Sequence, residues 1–298
     1  MRPWQGSLAR SSGLGALVLF GAMLSVHSAR AAPPKVEDVV RRAGERVVAL
    51  ETGLALATAK ERYAQTLLSA DMESVARERR ELVSDVVWVP TGDPLVWAFF
   101  RDVLSVDGRP VEGREGRLYE LFSVGPAREA RDRAQGILEE SARYNLGTHR
   151  TVNSPTVAVT FLHPRNQRRF RFRGGGAGTL EGTPVVTVRF DEITRPTLTR
   201  TANGDDIPAR GVLSITPEIG IVVASELRFD VPRVGPVEIT VRYGLQPRLD
   251  AWLPLEMHET YGDLRPGTRS HQERVEVEAT YSDYRKGEVE LQGIQPIR

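Results

Sequence analysis

In the second half of the chain, apolar and polar residues alternate with a period of two, and this pattern restricts the folds that the chain can adopt. Successive side chains of an extended strand point to opposite faces, so each run predicts a strand with one apolar and one polar face. The runs lie roughly 10 residues apart with polar turns between them, which predicts an antiparallel meander. The alternating apolar positions are Val157, Val159 and Phe161; Phe170 and Phe172; Val186, Val188 and Phe190; Leu213 and Ile215; Ile221, Val223, Leu227 and Phe229; Val237, Ile239, Val241 and Tyr243; Leu253, Leu255 and Met257; and Val275, Val277, Ala279 and Tyr281.

The first half of the chain holds helical segments that could cover the apolar face of this sheet. One helix is predicted from the apolar stripe Val36, Val39, Val40, Ala43, Val47 and Leu50. A second is predicted between Pro126 in its first turn and Gly147 as its cap, with the stripe Ala127, Ala130, Ala134, Ile137 and Leu138. Further strands are predicted at Lys60–Leu68, Leu82–Val89 and Leu95–Val106, the last ending at the turn pair Asp107–Gly108. We therefore expect an α+β fold: a curved antiparallel sheet, open as a half-barrel, with helices packed on its concave side.

The first residues have the three parts of a cleavable secretory signal. Arg2 and Arg10 give a positive start, residues 14–26 are apolar, and Ala29-Arg30-Ala31 supplies the small residues that signal peptidase recognises. The apolar run is shorter than the roughly 20 residues that a membrane anchor needs. We expect residues 1–31 to be a signal peptide. Residues 32–150, with two helices and several strands, and the meander of residues 151–298 are then expected to form one domain.

Composition narrows the expected compartment and partners. The chain has no cysteine, which excludes disulfides, thiol catalysis and lipid attachment to a cysteine. Of the 40 basic residues, Arg2, Arg10 and Arg30 lie in the signal segment, which leaves 37 against 39 acidic residues. Because a nucleic-acid partner needs a net basic face, none is expected. The mature protein is expected to be exported to the periplasm or secreted, soluble, not lipid-anchored and not membrane-spanning.

The sequence offers little support for an enzyme. The nucleophile elbow, the Walker A loop, the H-E-x-x-H zinc motif and the EF-hand loop are all absent from it. We therefore expect no catalytic residue, no metal and no cofactor. An unrecognised hydrolase would require Asp205, Asp206, His258 and His271 to converge in space.

Three short polar motifs have simpler interpretations than chemistry. Gly174–Gly178 lacks the spacing of a phosphate loop and is predicted to be a hairpin connection. Asn203-Gly204-Asp205-Asp206 is predicted to be a turn rather than a calcium site. His258 and Glu259 are neighbours in a strand pattern, so their side chains should point to opposite faces and form no local acid–base pair.

A run of arginines is the most concentrated charge in the chain. Arg165, Arg168, Arg169, Arg171 and Arg173 lie close together, and Arg169, Arg171 and Arg173 alternate along one predicted strand. On one face these three could bind a phosphate headgroup or an acidic partner. The alternative is a solvated outer face.

Three stretches resemble the LolA-like family of periplasmic lipoprotein carriers and related sensor-binding domains. They are the amphipathic helix just behind the signal segment, the hairpin GVLSITPEIGIVVASELRF (Gly211 to Phe229), and the closing ATYSDYRKGEVEL (Ala279 to Leu291). The block from Phe99 to Phe122 also resembles exported bacterial proteins of unknown function. The resemblance implies a curved half-barrel whose concave, apolar side is plugged by helices, and a carrier rather than a catalyst.

Two functions remain open on the sequence. The first is a periplasmic carrier that holds a lipid or a lipidated peptide between sheet and helices; the second is an interaction or sensor domain that binds another envelope protein without a lipid. Inward strand positions are the candidate walls of a cavity in the first case, although each could equally be ordinary core. These positions are Phe190, Leu213, Ile215, Val223, Leu227, Val241, Leu255 and Met257.

Overall fold

In the computed structural model, strands from both halves of the chain join in one open, antiparallel, curved sheet of eleven strands. The structure describes residues 34–54, 57–69, 76–90, 97–114, 136–137, 139–147, 150, 153–201, 203–262 and 273–286. The strand order is β4-β3-β2-β1-β13-β12-β11-β10-β9-β6-β5, and β7 and β8 form a separate two-stranded sheet. The predicted α+β class with an open curved sheet is confirmed.

The helices and strands have the following bounds: α1 Val36–Gly53, β1 Thr58–Ser69, β2 Ala76–Pro90, β3 Trp97–Val106, β4 Arg109–Pro110, α2 Val157–Thr160, α3 Pro164–Gln167, β5 Phe170–Leu180, β6 Thr183–Glu192, β7 Thr199–Arg200, β8 Asp206–Ile207, β9 Arg210–Ile215, β10 Val222–Val231, β11 Gly235–Gln246, β12 Ala251–Gly262 and β13 Glu273–Arg285. Residues 136, 137 and 139–142 are also helical.

Helix α1 lies across the inner, apolar face of the sheet. Val36 at its start packs against Gly174 in β5, and Ala57 just beyond its end accepts a hydrogen bond from the backbone N–H of Trp88 in β2. Eight strand spacings separate β5 from β2, about 38 Å in a flat sheet, whereas 18 helical residues span about 27 Å. Because the helix is shorter than this flat distance and its two ends still reach both strands, the sheet must curve around the helix.

The pattern of α1 explains why it packs there. Val39, Val40, Ala43 and Val47 are buried in the same core as the inward strand residues. Glu37 and Asp38 lie in its first turn, where the positive end of the helix dipole favours carboxylates. The predicted helix is therefore confirmed, and so are the predicted strands that became β1, β2 and β3.

The predicted strand at Val157, Val159 and Phe161 is wrong, because residues 157–160 form the short helix α2. Ala158 and Thr160 are buried together with the valines, so this segment has no polar face for a strand to turn to solvent. Its surroundings decide the conformation: the Phe161 ring stacks on Phe170 at 4.5 Å between centroids, beneath α1. The Thr160 hydroxyl donates to the carbonyl of Thr156, as it can only in a helical turn.

The predicted hairpin connection at Gly174–Gly178 is also wrong, because these residues lie within β5. The turn that follows is Glu181–Gly182, where both residues have positive φ. Because glycine has no side chain, a run of glycines shows no alternation of apolar and polar residues. The facing residues Val185, Val186 and Val188 of β6 favour a strand here. The pairing partner therefore determines this segment.

Some predictions fall outside the described residues. The signal segment does, as do residues 126–135 and 138 of the second predicted helix and residues 115–122 of the block that starts at Phe99. The helical residues from 136 to 142 agree with the C-terminal part of that helix.

Candidate functional site

The predicted wall positions are mostly tightly packed. Phe190, Leu213, Ile215, Leu227, Val241 and Met257 belong to one core cluster and are nearly inaccessible to solvent. Val223 is buried beside a bulge of β10. Leu255 is half-buried and packs over Gly244 of the neighbouring strand. None of the eight lines the apolar groove of the described structure, which uses the adjacent positions Val222, Tyr243 and Pro254.

This groove is a cavity of about 310 Å³ between α1 and the end of the sheet formed by β9 to β12. Helix α1 contributes Ala43, Val47 and Leu50 to one wall, and Leu54 follows just beyond its end. The opposite wall is the β11–β12 hairpin, with Leu249, Ala251, Trp252 and Pro254. Val159 and Val222 form the floor. Its volume is at the lower end of the range for small-molecule sites, and its lining is predominantly apolar, as in such sites.

Specific contacts fix the parts of the fold that surround the groove. The turn before β10 touches α1 at Gly220, where φ is +71° and an added Cβ would lie 2.5 Å from the backbone carbon of Arg42. The Arg46 Nε donates to the carbonyl of Ile219 at 3.0 Å. On the sheet side, the Tyr243 hydroxyl donates to the carbonyl of Pro155 at 2.7 Å. The groove is therefore formed by the fold itself.

The mouth of the groove has an apolar rim. Leu245 is 51% exposed and lies directly opposite Trp252 in the β11–β12 ladder, so the two side chains share a face. Ile219, on the other side, is 47% exposed. Arg46 and Asp250 supply the charged groups among the lining residues. An apolar interior with an exposed apolar rim and a few polar groups suits an elongated apolar ligand.

A buried polar network that the sequence analysis missed lies on the inner face of β1, β3 and β12. The Arg101 guanidinium forms a two-pronged ion pair with the Glu61 carboxylate, with Nη2 2.8 Å from Oε1, and both side chains are buried. Burial by itself would lower the pKa of Arg101, but the charge and hydrogen bonds of Glu61 raise it above its ordinary value. The guanidinium also lies 4.2 Å from the centre of the Tyr63 ring.

Glu259 is the second carboxylate of this network. Its Oε2 accepts hydrogen bonds from the hydroxyls of Tyr63 at 2.8 Å and Tyr261 at 2.9 Å. Burial raises the pKa of Glu259, and the charges of Arg150 and Arg101 act against that rise. His258, its neighbour, is exposed on the other face, as predicted. The signal in the sequence was strand parity: Glu61 and Glu259 occupy inward positions beside Tyr63 and Tyr261.

Related contacts attach the segment around residues 140–153 to the sheet. The Arg150 Nη1 donates to the carbonyl of Leu146 at 2.8 Å, and the backbone N–H of Leu146 donates to Gln65 Oε1 at 3.0 Å. Near β3, Arg114 pairs with Glu140 and lies 3.5 Å from Asp102. Burial raises the pKa of Asp102 to about 6, and the charge of Arg114 opposes the rise.

The three candidate arginines do not share one environment. Arg169 precedes β5 and lies 3.7 Å from the buried carboxylate of Glu192. Arg173 pairs with Asp191, and Arg171 is exposed. Arg171 and Arg173 lie on the outer face of β5, away from the groove.

The described residues hold no group of three or more histidine and acidic side chains that could bind a metal. Asp205 and Asp206 bond within their own turn, to Thr201 and Thr197. The predicted turn at Asn203–Asp206 agrees with these contacts and with the positive φ of Gly204. His271 lies outside the described residues.

Among the comparisons with known proteins, only the one with solved structures finds similar proteins. No protein-family model matches the chain, and no curated protein sequence does. A domain from Vibrio parahaemolyticus described as an outer membrane lipoprotein-sorting protein is 11% identical, with a TM-score of 0.40, over 86% of this chain and 96% of that one. A LolA superfamily protein from Nitrosomonas europaea is 10% identical, with a TM-score of 0.37, over 87% and 96%. A DUF1329 family protein from Desulfovibrio piger is 8% identical, with a TM-score of 0.34, over 88% and 96%.

All three TM-scores lie below 0.5, which is too low to assign this chain to a fold family. The chain's own architecture, an open curved sheet with a helix across its inner face, agrees with the half-barrel expected from the sequence. At identities of 8–11%, the similarity says nothing about a ligand or a partner.

Proposed function

We propose that this protein binds an apolar chain, such as the acyl chain of a lipid or of a lipidated polypeptide, and releases it again without chemical change. The observation that carries the proposal is the preformed groove between α1 and the β11–β12 hairpin, which is lined mostly by apolar residues. Two exposed apolar residues neighbour this lining: Leu245 lies opposite Trp252 in the ladder, and Ile219 precedes Gly220. Exposed apolar side chains at the opening of an apolar cavity are typical of binding sites.

The energy available is sufficient for reversible binding. Each buried methylene contributes about 0.8 kcal/mol, so about ten of them contribute about 8 kcal/mol. Association itself costs at least about 4 kcal/mol in lost freedom of motion. The remainder of about 4 kcal/mol corresponds to a Kd of about 1 mM from ten methylenes alone, so the complex can dissociate again, as a carrier requires, and tighter binding needs a longer buried chain or polar contacts.

The proposal includes export to the periplasm or secretion, which depends on the N-terminal signal segment. None of the described helices combines the length and apolar character needed to cross a membrane. A lipid-like ligand would explain why an exported protein keeps an apolar groove open to solvent.

Two neighbouring residues of α1 provide a matched test. Ala49 lines the groove, whereas Val48 is 42% exposed and does not line it. We expect Ala49→Trp to fill the mouth and weaken binding of a fluorescent fatty acid by at least about tenfold, the factor that corresponds to 1.4 kcal/mol. Val48→Trp should bind like the unchanged protein. Native mass spectrometry of protein purified from expressing cells should show bound lipid; a bare protein mass and no displacement of the fluorescent probe would refute the proposal.

A further inference from the structure

The two edge strands of the large sheet differ in length and in how much backbone they offer for pairing with another strand. One edge is β4, which has two residues, one of them Pro110. A short edge strand with proline offers little backbone for another strand to pair with. The other edge is β5, which has 11 residues and, among the described strands, pairs with β6 on one side only. Residues 171 and 173–179 of β5 are exposed, so its outer edge is accessible.

The outer face beside this edge carries excess positive charge. Arg173 of β5 lies directly opposite Arg189 of β6, and Arg171 lies opposite Asp191. Like charges directly opposite each other in a ladder are unfavourable. Three arginines, Arg171, Arg173 and Arg189, form this group. Among the described residues, Asp191 is the carboxylate that pairs with the group, through Arg173. The group therefore has room for acidic side chains from outside.

The inner side of the same edge is apolar. Phe172 and Gly174 point inward, opposite Phe190 and Val188 of β6. Phe172 is half-buried, and Val36 of α1 packs within 3.1 Å of the position that a Cβ of Gly174 would occupy. A strand added beside β5 would bring every second side chain against Phe172 and Val36, and the others beside Arg171 and Arg173.

We propose that the free edge of β5 is a docking strand for an extended segment of another protein in which acidic and apolar residues alternate. Backbone hydrogen bonds to β5 would provide the pairing, the arginines would attract the acidic residues, and the inner edge would receive the apolar ones. The Gly174–Gly178 run suits this role, because glycines let a second backbone approach closely. None of the residues of this edge lines the groove, so the proposal is independent of the ligand there.

The test uses a fluorescent ten-residue peptide of alternating glutamate and valine and measures its binding by anisotropy. We expect binding that weakens with added salt, together with slower hydrogen exchange in residues 170–178. A peptide of the same composition with its glutamates and valines in separate blocks should bind at least about tenfold more weakly, since it cannot match both sides of the edge. N-methylation of every peptide bond of the alternating peptide should abolish binding, because it removes the backbone donors that could face β5 but no charge.

Matched charge variants complete the test. The double change Arg171→Gln with Arg189→Gln should weaken binding about three- to tenfold, as expected for two exposed charge contacts. The control, Arg62→Gln with Arg228→Gln, removes equal charge from exposed positions of β1 and β10, away from the edge, and should change binding less than about twofold. The proposal would be overturned if the N-methylated peptide, or the peptide with glutamates and valines in separate blocks, bound as tightly as the alternating peptide. So would self-association that protects β5 without peptide, because the occupant would then be a second copy.

Discussion

Loss of one partner of the ion pair between Glu61 and Arg101 should strongly lower the free energy of unfolding, because the other partner would stay buried without a counter-charge. Arg101→Met keeps much of the side-chain length but leaves the Glu61 carboxylate buried without its cation. Loss of one partner of a buried pair destabilises a protein by about 3–5 kcal/mol. Both residues lie on inward positions of β1 and β3 with almost no solvent access, so we expect the upper part of that range at neutral pH.

The double variant Glu61→Gln with Arg101→Met separates the charge from the packing. Both variants lose the stacking of the guanidinium on Tyr63, but only the single variant retains a buried charge. We therefore expect the double variant to recover about 1–3 kcal/mol, the penalty for an unsatisfied buried group.

Urea unfolding followed by circular dichroism at neutral pH provides the measurement for all three proteins. The reasoning is refuted if Arg101→Met loses less than about 1 kcal/mol, or if the double variant is no more stable than the single one. Either result would mean that water or a neighbouring group compensates Glu61 in the folded protein.

Two other predictions concern the groove and the network. Gly220→Ala should be more destabilising than Gly108→Ala in thermal unfolding, because both glycines have φ above +70° but only the Gly220 Cβ would strike α1; equal losses would show that α1 moves aside freely. Since burial raises the pKa of Asp102 to about 6, above its value in the unfolded chain, its contribution to stability should decline as pH rises from 4 to 6. Asp102→Asn should lose that part of the pH dependence in urea titrations, and an unchanged profile would contradict the assignment.

Periodicity predicted the parts of the fold in which one face is buried and the other solvated. Strands β10 to β13 and helix α1 have clear polar faces, and all were predicted close to their observed positions. Helix α2 lacks such a face, since all four of its residues are buried, so alternation of valines alone suggested a strand. The glycines of β5 carried no pattern, and only the partner strand β6 fixes them.

The candidate site was less predictable for a related reason. A sequence pattern identifies which side chains point inward, but it does not distinguish a packed interior from an unfilled one. Leu213 and Ile215 point inward and are fully packed, whereas Val222 and Pro254, beside strand irregularities, reach the groove. The bulges that shift these positions depend on pairing between strands, which no local pattern records.

The position of β13 gives the sheet an unusual dependence on the end of the described chain. Tyr63 of β1 pairs with Ala279 of β13, and among the described strands this late strand alone joins the first hairpins to the rest of the sheet. Contacts so distant in sequence form slowly, because a long loop must close before they do. A chain truncated before Glu273 would therefore not lose one edge strand; it would divide the large sheet into β4-β3-β2-β1 and β12-β11-β10-β9-β6-β5, with new free edges at β1 and β12 and a tendency to aggregate.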